Sequence, residues 1–182
     1  LGDVYKRQAY DYKGKYLAEV NGRYDGTSRF PKDSRFGFFP SFSAGWRISE
    51  EAFMKNLTFV DELKLRASYG SVGNQSGVDR YDGAQLYNFT PSGGALIGNG
   101  KISYVDTNGK LPSTDRTWER IHNYNIGLDF GFLRNRLTGT AEIFWKKSDN
   151  MLIDVIYPGI LGDKAPTANY GAFLSLIHIS EP

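Results

Sequence analysis

Taken two residues at a time, five stretches of the chain sort into a greasy side and a polar side. Residues 15 to 25 place Tyr16, Ala18, Val20, Gly22 and Tyr24 on one face and Leu17, Glu19, Asn21, Arg23 and Asp25 on the other. Phe38, Phe42, Ala44, Trp46 and Ile48 stand opposite Phe39, Ser41, Ser43, Gly45 and Arg47, and Leu63, Leu65, Ala67 and Tyr69 stand opposite Lys64, Arg66, Ser68 and Gly70. Further on, Tyr124, Ile126, Leu128 and Phe130 alternate with Asn123, Asn125, Gly127 and Asp129; Leu137, Ala141, Ile143 and Trp145 alternate with Thr138, Thr140, Glu142 and Lys146. No greasy face carries a charge, and every opposite face does. The pattern predicts an all-β chain, an antiparallel meander of about five to six strands.

The connections add an asymmetry. Lys13-Gly14 and Leu133 to Asn135 read as tight turns, whereas 26 to 35, Asn74 to Asp115 and Asn150 to Ala168 are long. Followed strand by strand, the long pieces fall at one end of the sheet and the tight turns at the other, as external loops and periplasmic turns do in outer-membrane barrels. One connection at the short end, Ser49 to Val60, predicts a short helix with Ser49 as N-cap and Glu50 and Glu51 in its first turn. Pro40 removes a ladder donor, so a neighbouring strand is expected to have ended beside it. Asn108-Gly109 reads as a hairpin tip inside the longest loop.

Composition sharpens this. Twelve Tyr, 12 Phe and 3 Trp against 2 Met, with 21 Gly, suit short aromatic strands between polar turns. The 22 basic and 20 acidic residues are interspersed, so no basic block points to nucleic acid, and the absence of Cys excludes a disulfide framework and thiolate metal sites. No apolar run reaches the roughly 18 residues of a spanning helix, so a membrane location would require a barrel. Aromatics gather near both strand ends, Tyr16, Trp46 and Phe130 at the turn side and Tyr24, Phe38, Tyr69, Tyr124 and Trp145 at the loop side, as in headgroup girdles. From Tyr16 to Tyr24 the rise is roughly 26 Å, which a tilt of about 40° reduces to around 20 Å, near the lipid band of about 25 Å. A soluble β-sandwich acting as a carbohydrate-binding module also alternates, and is the rival reading.

The chain resembles the SusC/RagA family of TonB-linked outer-membrane proteins in Arg23-Tyr24-Asp25-Gly26-Thr27-Ser28-Arg29-Phe30, in residues 39 to 51 (FPSFSAGWRISEE) and in residues 63 to 75 (LKLRASYGSVGNQ). Trp118-Glu119, Asn125-Ile126-Gly127-Leu128-Asp129 and Arg136-Leu137-Thr138-Gly139-Thr140 follow in the family's order, so that the resemblance covers residues 9 to 173. It implies part of a 22-stranded transmembrane barrel with a plug, a TonB complex that drives it and a SusD-like lid lipoprotein, located in the bacterial outer membrane and importing oligosaccharides or, less often, peptides. Asn169-Tyr170-Gly171 reads as the start of a next strand. Residues 1 to 8 (LGDVYKRQ) and 174 to 182 (LSLIHISEP) resemble translated sequencing-adapter read-through and are expected to lie outside the native barrel segment.

Covalent chemistry is not expected. Gly100-Lys101 lacks the earlier glycine and following Ser or Thr of a phosphate loop, and His122 reads as a polar rim residue. No catalytic, cofactor or metal residues are assigned, and the chain is not read as an enzyme. Arg23, Arg47, Arg66, Asn125, Asp129 and Glu142 are the expected lumen-facing set, either lining a path or pairing among themselves. Tyr81, Tyr87, Phe89, Tyr104 and Trp118 are the expected external-loop contacts to ligand or lid, or else pack the loops on themselves.

Overall fold

The structure is a computed structural model. It describes every residue except 1, 58, 79, 82–83, 108–110, 114, 157, 159–163, 165–166 and 182, with side chains described as far as residue 176 within the last strand.

Its strands are β1 (Asp3–Tyr12), β2 (Tyr16–Gly26), β3 (Phe36–Arg47), β4 (Val60–Asn74), β5 (Tyr87–Thr90), β6 (Leu96–Ile97), β7 (Gly100–Lys101), β8 (Tyr104–Thr107), β9 (Glu119–Phe132), β10 (Leu137–Asp154) and β11 (Thr167–Glu181). Seven of them form one sheet in the order β1-β2-β3-β4-β9-β10-β11, every neighbour antiparallel. The five alternating stretches are β2, β3, β4, β9 and β10. The meander is wider than the expected five or six strands because residues 3 to 8, set apart in the sequence, pair with β2 from Asp3↔Asp25 to Gln8↔Val20, and residues 174 to 181 continue β11 along β10.

Register keeps the faces intact across the sheet. Ala18 pairs with Ala44, Ala44 with Ala67, Ala67 with Ile126 and Ile126 with Ile143, so greasy positions meet greasy positions on every strand. No second sheet covers this side among the described residues: Val20 is 50 % exposed, Phe42 48 % and Ile126 47 %. An apolar row open along five strands has no place in a water-soluble sandwich, where it would be the core.

Aromatic rings edge this band at both ends. Toward the loops Phe42, Tyr69, Tyr124 and Trp145 form one row across four strands, with successive centroids 6.3, 5.0 and 5.4 Å apart. Toward the turns Tyr12, Tyr16 and Trp46 form another at 6.4 Å steps. Each such cross-strand pair contributes roughly 0.2–1 kcal/mol.

The turns behave as their residues require. Lys13 and Gly14 both have positive φ, giving the mirror-image turn that matches strand twist. Leu133, Arg134 and Asn135 are three successive left-handed residues without a glycine among them, held by Leu133 N–H donating to Phe59 O and Asn135 N–H to Asp61 Oδ2. Beside Pro40 the β3–β4 ladder has stopped, since its pairs begin at Ser41↔Gly70.

The helix expected from Ser49 is not formed. A single 3-10 turn spans Ile48–Glu50, Arg47 occupies the N-cap position without a side-chain bond, and Glu51 is already extended. The physical reason is Glu51 itself, whose carboxylate accepts hydrogen bonds from Tyr16 (2.7 Å), Lys15 (3.1 Å) and Trp46 (3.3 Å), partners that a helical Glu51 would forgo. The long loop between β4 and β9 carries a hairpin built of β5, β6, β7 and β8, whose halves are joined by Gly94 N–H donating to Ile102 O and Ile102 N–H to Ala95 O. Its tip is Gly98-Asn99, with Gly98 at φ +62°; Asn108-Gly109 lies outside the described residues.

Candidate functional site

Two places on the molecule collect polar chemistry: the face opposite the greasy band, and the loop end. On the polar face Arg66 reaches from β4 to β9, Nε donating to Asp129 Oδ2 at 2.8 Å and Nη2 to Oδ1 at 3.0 Å. Thr140 on β10 donates to the same carboxylate at 3.1 Å. The guanidinium passes over Gly127, where an added Cβ would stand 3.0 Å from Nη2, so any larger residue would oblige the arginine to move by a few tenths of an ångström. Asn125 donates to Glu142, and Arg23 Nε lies 2.7 Å from Asp25 Oδ2 with its guanidinium over the Phe39 ring. Arg47 sits at the turn end, donating to Gly14 O at 3.2 Å.

Arg23, Arg66, Asn125, Asp129 and Glu142 are thus tied to side-chain partners along or across the sheet, and Arg47 to a backbone carbonyl. A shallow cavity of about 530 Å³ opens over Glu19, Ser43, Lys64, Arg66 and Ser68. Arg66, Asp129, Asn125 and Glu142 are held as partners to one another or to their neighbours, and each commits polar atoms to those contacts. Among the described residues no group of three His, Cys, Asp or Glu side chains could hold a metal ion.

At the loop end Phe30, Phe39, Val78 and Trp118 form the buried cluster of the described residues, with Phe30–Trp118 and Phe39–Trp118 centroids 5.3 and 5.4 Å apart. Trp118, for which contact with ligand or lid and packing of the loops on themselves are the two expectations, is 5 % exposed and packs the loops together. The Phe39 ring fills the space where Cβ atoms on Gly37 and Gly73 would stand, which seats it against the strands and draws the β2–β3 and β4–β9 loops over the polar-face end of β3. Tyr81, Tyr87, Phe89 and Tyr104 remain open; Tyr87 and Phe89 share one face of the hairpin and Tyr104 lies on the other.

Arg116, which sequence reasoning passed over, is fully buried and donates to Thr167 Oγ1. Next to it Asn169 brackets Thr117, accepting from its N–H and donating to its carbonyl, each at 3.1 Å, so that the chain entering β9 is clamped to β11. His122 is a rim residue, its Nδ1 3.0 Å from Tyr69 Oη and its Nε2 3.8 Å from Asp149.

At the turn end Glu51 is the fastening point. Hydrogen bonds from Tyr16, Lys15 and Trp46 hold its carboxyl below the usual carboxylate range.

With this geometry in place, comparison with known proteins is decisive. The family described as "TonB dependent receptor-like, beta-barrel" matches residues 3–172. The chain is 36 % identical over 176 residues to TonB-dependent receptor P39 of Formosa agariphila, covering 94 % of this chain and 16 % of that protein. It is 36 % identical over 158 residues to TonB-dependent receptor SusC of Bacteroides thetaiotaomicron, covering 87 % of this chain and 16 % of SusC. In fold it is similar to the RagAB peptide importer in its "open-open" state, with a TM-score of 0.79 and 24 % identity over 94 % of this chain and 18 % of that one. The "closed-closed" state of the same importer gives a TM-score of 0.77 over 96 % of this chain and 18 % of that one. The chain therefore spans about a sixth of the length of these relatives, and it belongs to the TonB-dependent receptor β-barrel family.

Proposed function

We propose that the chain is a wall segment of an outer-membrane importer, driven through TonB, that takes up oligosaccharides or comparably large nutrients with a SusD-like lipoprotein as its lid. The observation that carries this reading is the open greasy band between two aromatic rows, set back to back with a face of paired charges. Lipid hydrocarbon suits the first and water or a plug the second. The names of its relatives fit an importer driven through TonB: SusC is a TonB-dependent receptor, and RagAB is a peptide importer.

The segment's part in transport is mechanical. Its inner wall holds Arg66 with Asp129 and Asn125 with Glu142 in fixed pairs, so that a plug or a hydrated cargo meets a polar surface whose central charges are already partnered. The open aromatics Tyr81, Tyr87, Phe89 and Tyr104 stand at the end where ligand or lid would arrive.

The test is energised uptake by the full-length parent. Cells carrying it should accumulate a labelled oligosaccharide, lose that uptake when TonB is deleted, and yield the protein in the outer-membrane detergent extract. Recovery of the full-length protein in the soluble fraction would overturn the proposal.

A further inference from the structure

A cleft of about 270 Å³ lies between the β2–β3 loop and the loop that follows β4, and three arginines line it: Arg29, Arg35 and Arg80. They come from separate places in the chain, which is why no basic block appears in the sequence. Arg29 and Arg35 are half-buried, each anchored by one hydrogen bond to a carbonyl, Arg29 Nη1 to Val78 O at 3.1 Å and Arg35 Nε to Phe30 O at 3.3 Å. Arg80 is exposed. Among the described residues none of the three has a carboxylate within ion-pair distance, whereas Arg7, Arg23 and Arg66 of the sheet each have one.

Three guanidinium groups gathered with no ion-pairing carboxylate among the described residues repel one another, and orienting two of them through backbone carbonyls leaves their remaining N–H donors for an incoming acceptor. Tyr81, on the same wall, is 65 % exposed and offers an aromatic face beside the cations. Phe30 lines the cleft too and belongs to the buried cluster leaning over the polar-face end of β3, so the cleft is fastened to the mouth of the barrel wall. Cations that bind an oxyanion next to a ring that stacks on a pyranose are the combination an acidic sugar needs.

Resting on the importer reading above, we infer that this cleft is a cargo subsite for an acidic oligosaccharide, with the arginines holding a uronate carboxylate or a sulfate ester and Tyr81 packing on the sugar ring. The subsite would select charged chains at the mouth of the importer before the plug is engaged.

The experiment uses the full-length parent in detergent, titrated by calorimetry with a hexameric oligogalacturonide, a sulfated oligosaccharide of similar length, neutral maltohexaose and an acidic hexapeptide. One or both acidic sugars should bind, more weakly as salt rises, and whichever binds identifies the group as carboxylate or sulfate. Arg80→Gln, which breaks no hydrogen bond among the described residues, should raise Kd for that sugar roughly tenfold, in line with the loss of one charge-assisted contact. Tyr81→Ala should weaken it further without changing the salt dependence. Equal binding of maltohexaose, tighter binding of the peptide than of either sugar, or an Arg80→Gln protein indistinguishable from wild type would each overturn the inference. TonB-dependent uptake of a neutral glycan alone would overturn it while leaving the importer reading standing; absence of any TonB-dependent uptake would remove both.

Discussion

The inner strands and the first strand of the sheet are paired by the same ladder and dressed quite differently. Between the aromatic rows, β2, β3, β4, β9 and β10 present no charge on the greasy face. On β1 the positions of that face are Val4, Lys6, Gln8, Tyr10 and Tyr12, with Lys6 opposite Gly22 and Gln8 opposite Val20. Backbone N–H and C=O groups make the ladder, and any sequence supplies them. Pairing therefore shows where a strand lies, while side-chain alternation shows which solvent it is made for.

The largest expected effect comes from removing what the edges need. Excised and placed in plain buffer, the chain leaves β1 and β11 with unpaired outer edges and the greasy band without lipid. It should fail to give a cooperative monomeric melt by circular dichroism; a sharp transition in dilute monomer would show that the band is covered from within.

Placing a charge in the band of an inner strand comes next. Ile126→Lys in the full-length protein should cost about 2–4 kcal/mol in bilayer unfolding experiments, the cost of a lysine near the lipid midplane. The opposite change on the first strand, Lys6→Leu with Gln8→Val, should be neutral or stabilising. Equal and small effects at both places would mean that the inner strands do not face hydrocarbon.

A third change acts on the other face of the same inner strands. Asp129→Asn keeps the volume but removes the charge that fixes Arg66, and since that arginine side chain is 38 % exposed the loss should be only about 1 kcal/mol. Gly127→Ala should give a comparable loss by lifting the guanidinium, and combining the two should be less than additive, because both break the one contact. Full additivity would mean that Gly127 serves something other than that crossing.

These differences mark what the sequence made legible. A period of two is a local signal, so β2, β3, β4, β9 and β10 and their faces follow directly from it, as does the position of Pro40 past the end of a ladder. Contacts between distant segments leave no such trace. Trp118 looks like any loop aromatic until Phe30 and Phe39 arrive to bury it, and Arg29, Arg35 and Arg80 become a cluster only when two loops meet. Arg116 was missed for the same reason, since it precedes β9 in the long loop and one of its partners, Thr167, is on β11.

The helix predicted at Ser49 failed in an instructive way, and supplies the mildest prediction. Helix propensity weighs Glu51 as a first-turn acid, but its side chain is committed to Tyr16, Lys15 and Trp46 at the turn end of the band. Because these donors favour the charged form, the folded protein holds this carboxyl below its unfolded value. Its stabilising contribution is then complete above the unfolded pKa and is lost as pH falls through the lower, folded one. Glu51→Gln should make the connection between β3 and β4 a few-fold easier to nick with protease at pH 7. The difference from wild type should shrink as pH falls below the ordinary glutamate range and close only once it has passed the lower, folded pKa, where the carboxyl is protonated in both states. A variant that stays as resistant as wild type at neutral pH would show that the turn is held by the strand ends alone, and that the edge of the band needs no polar fastening.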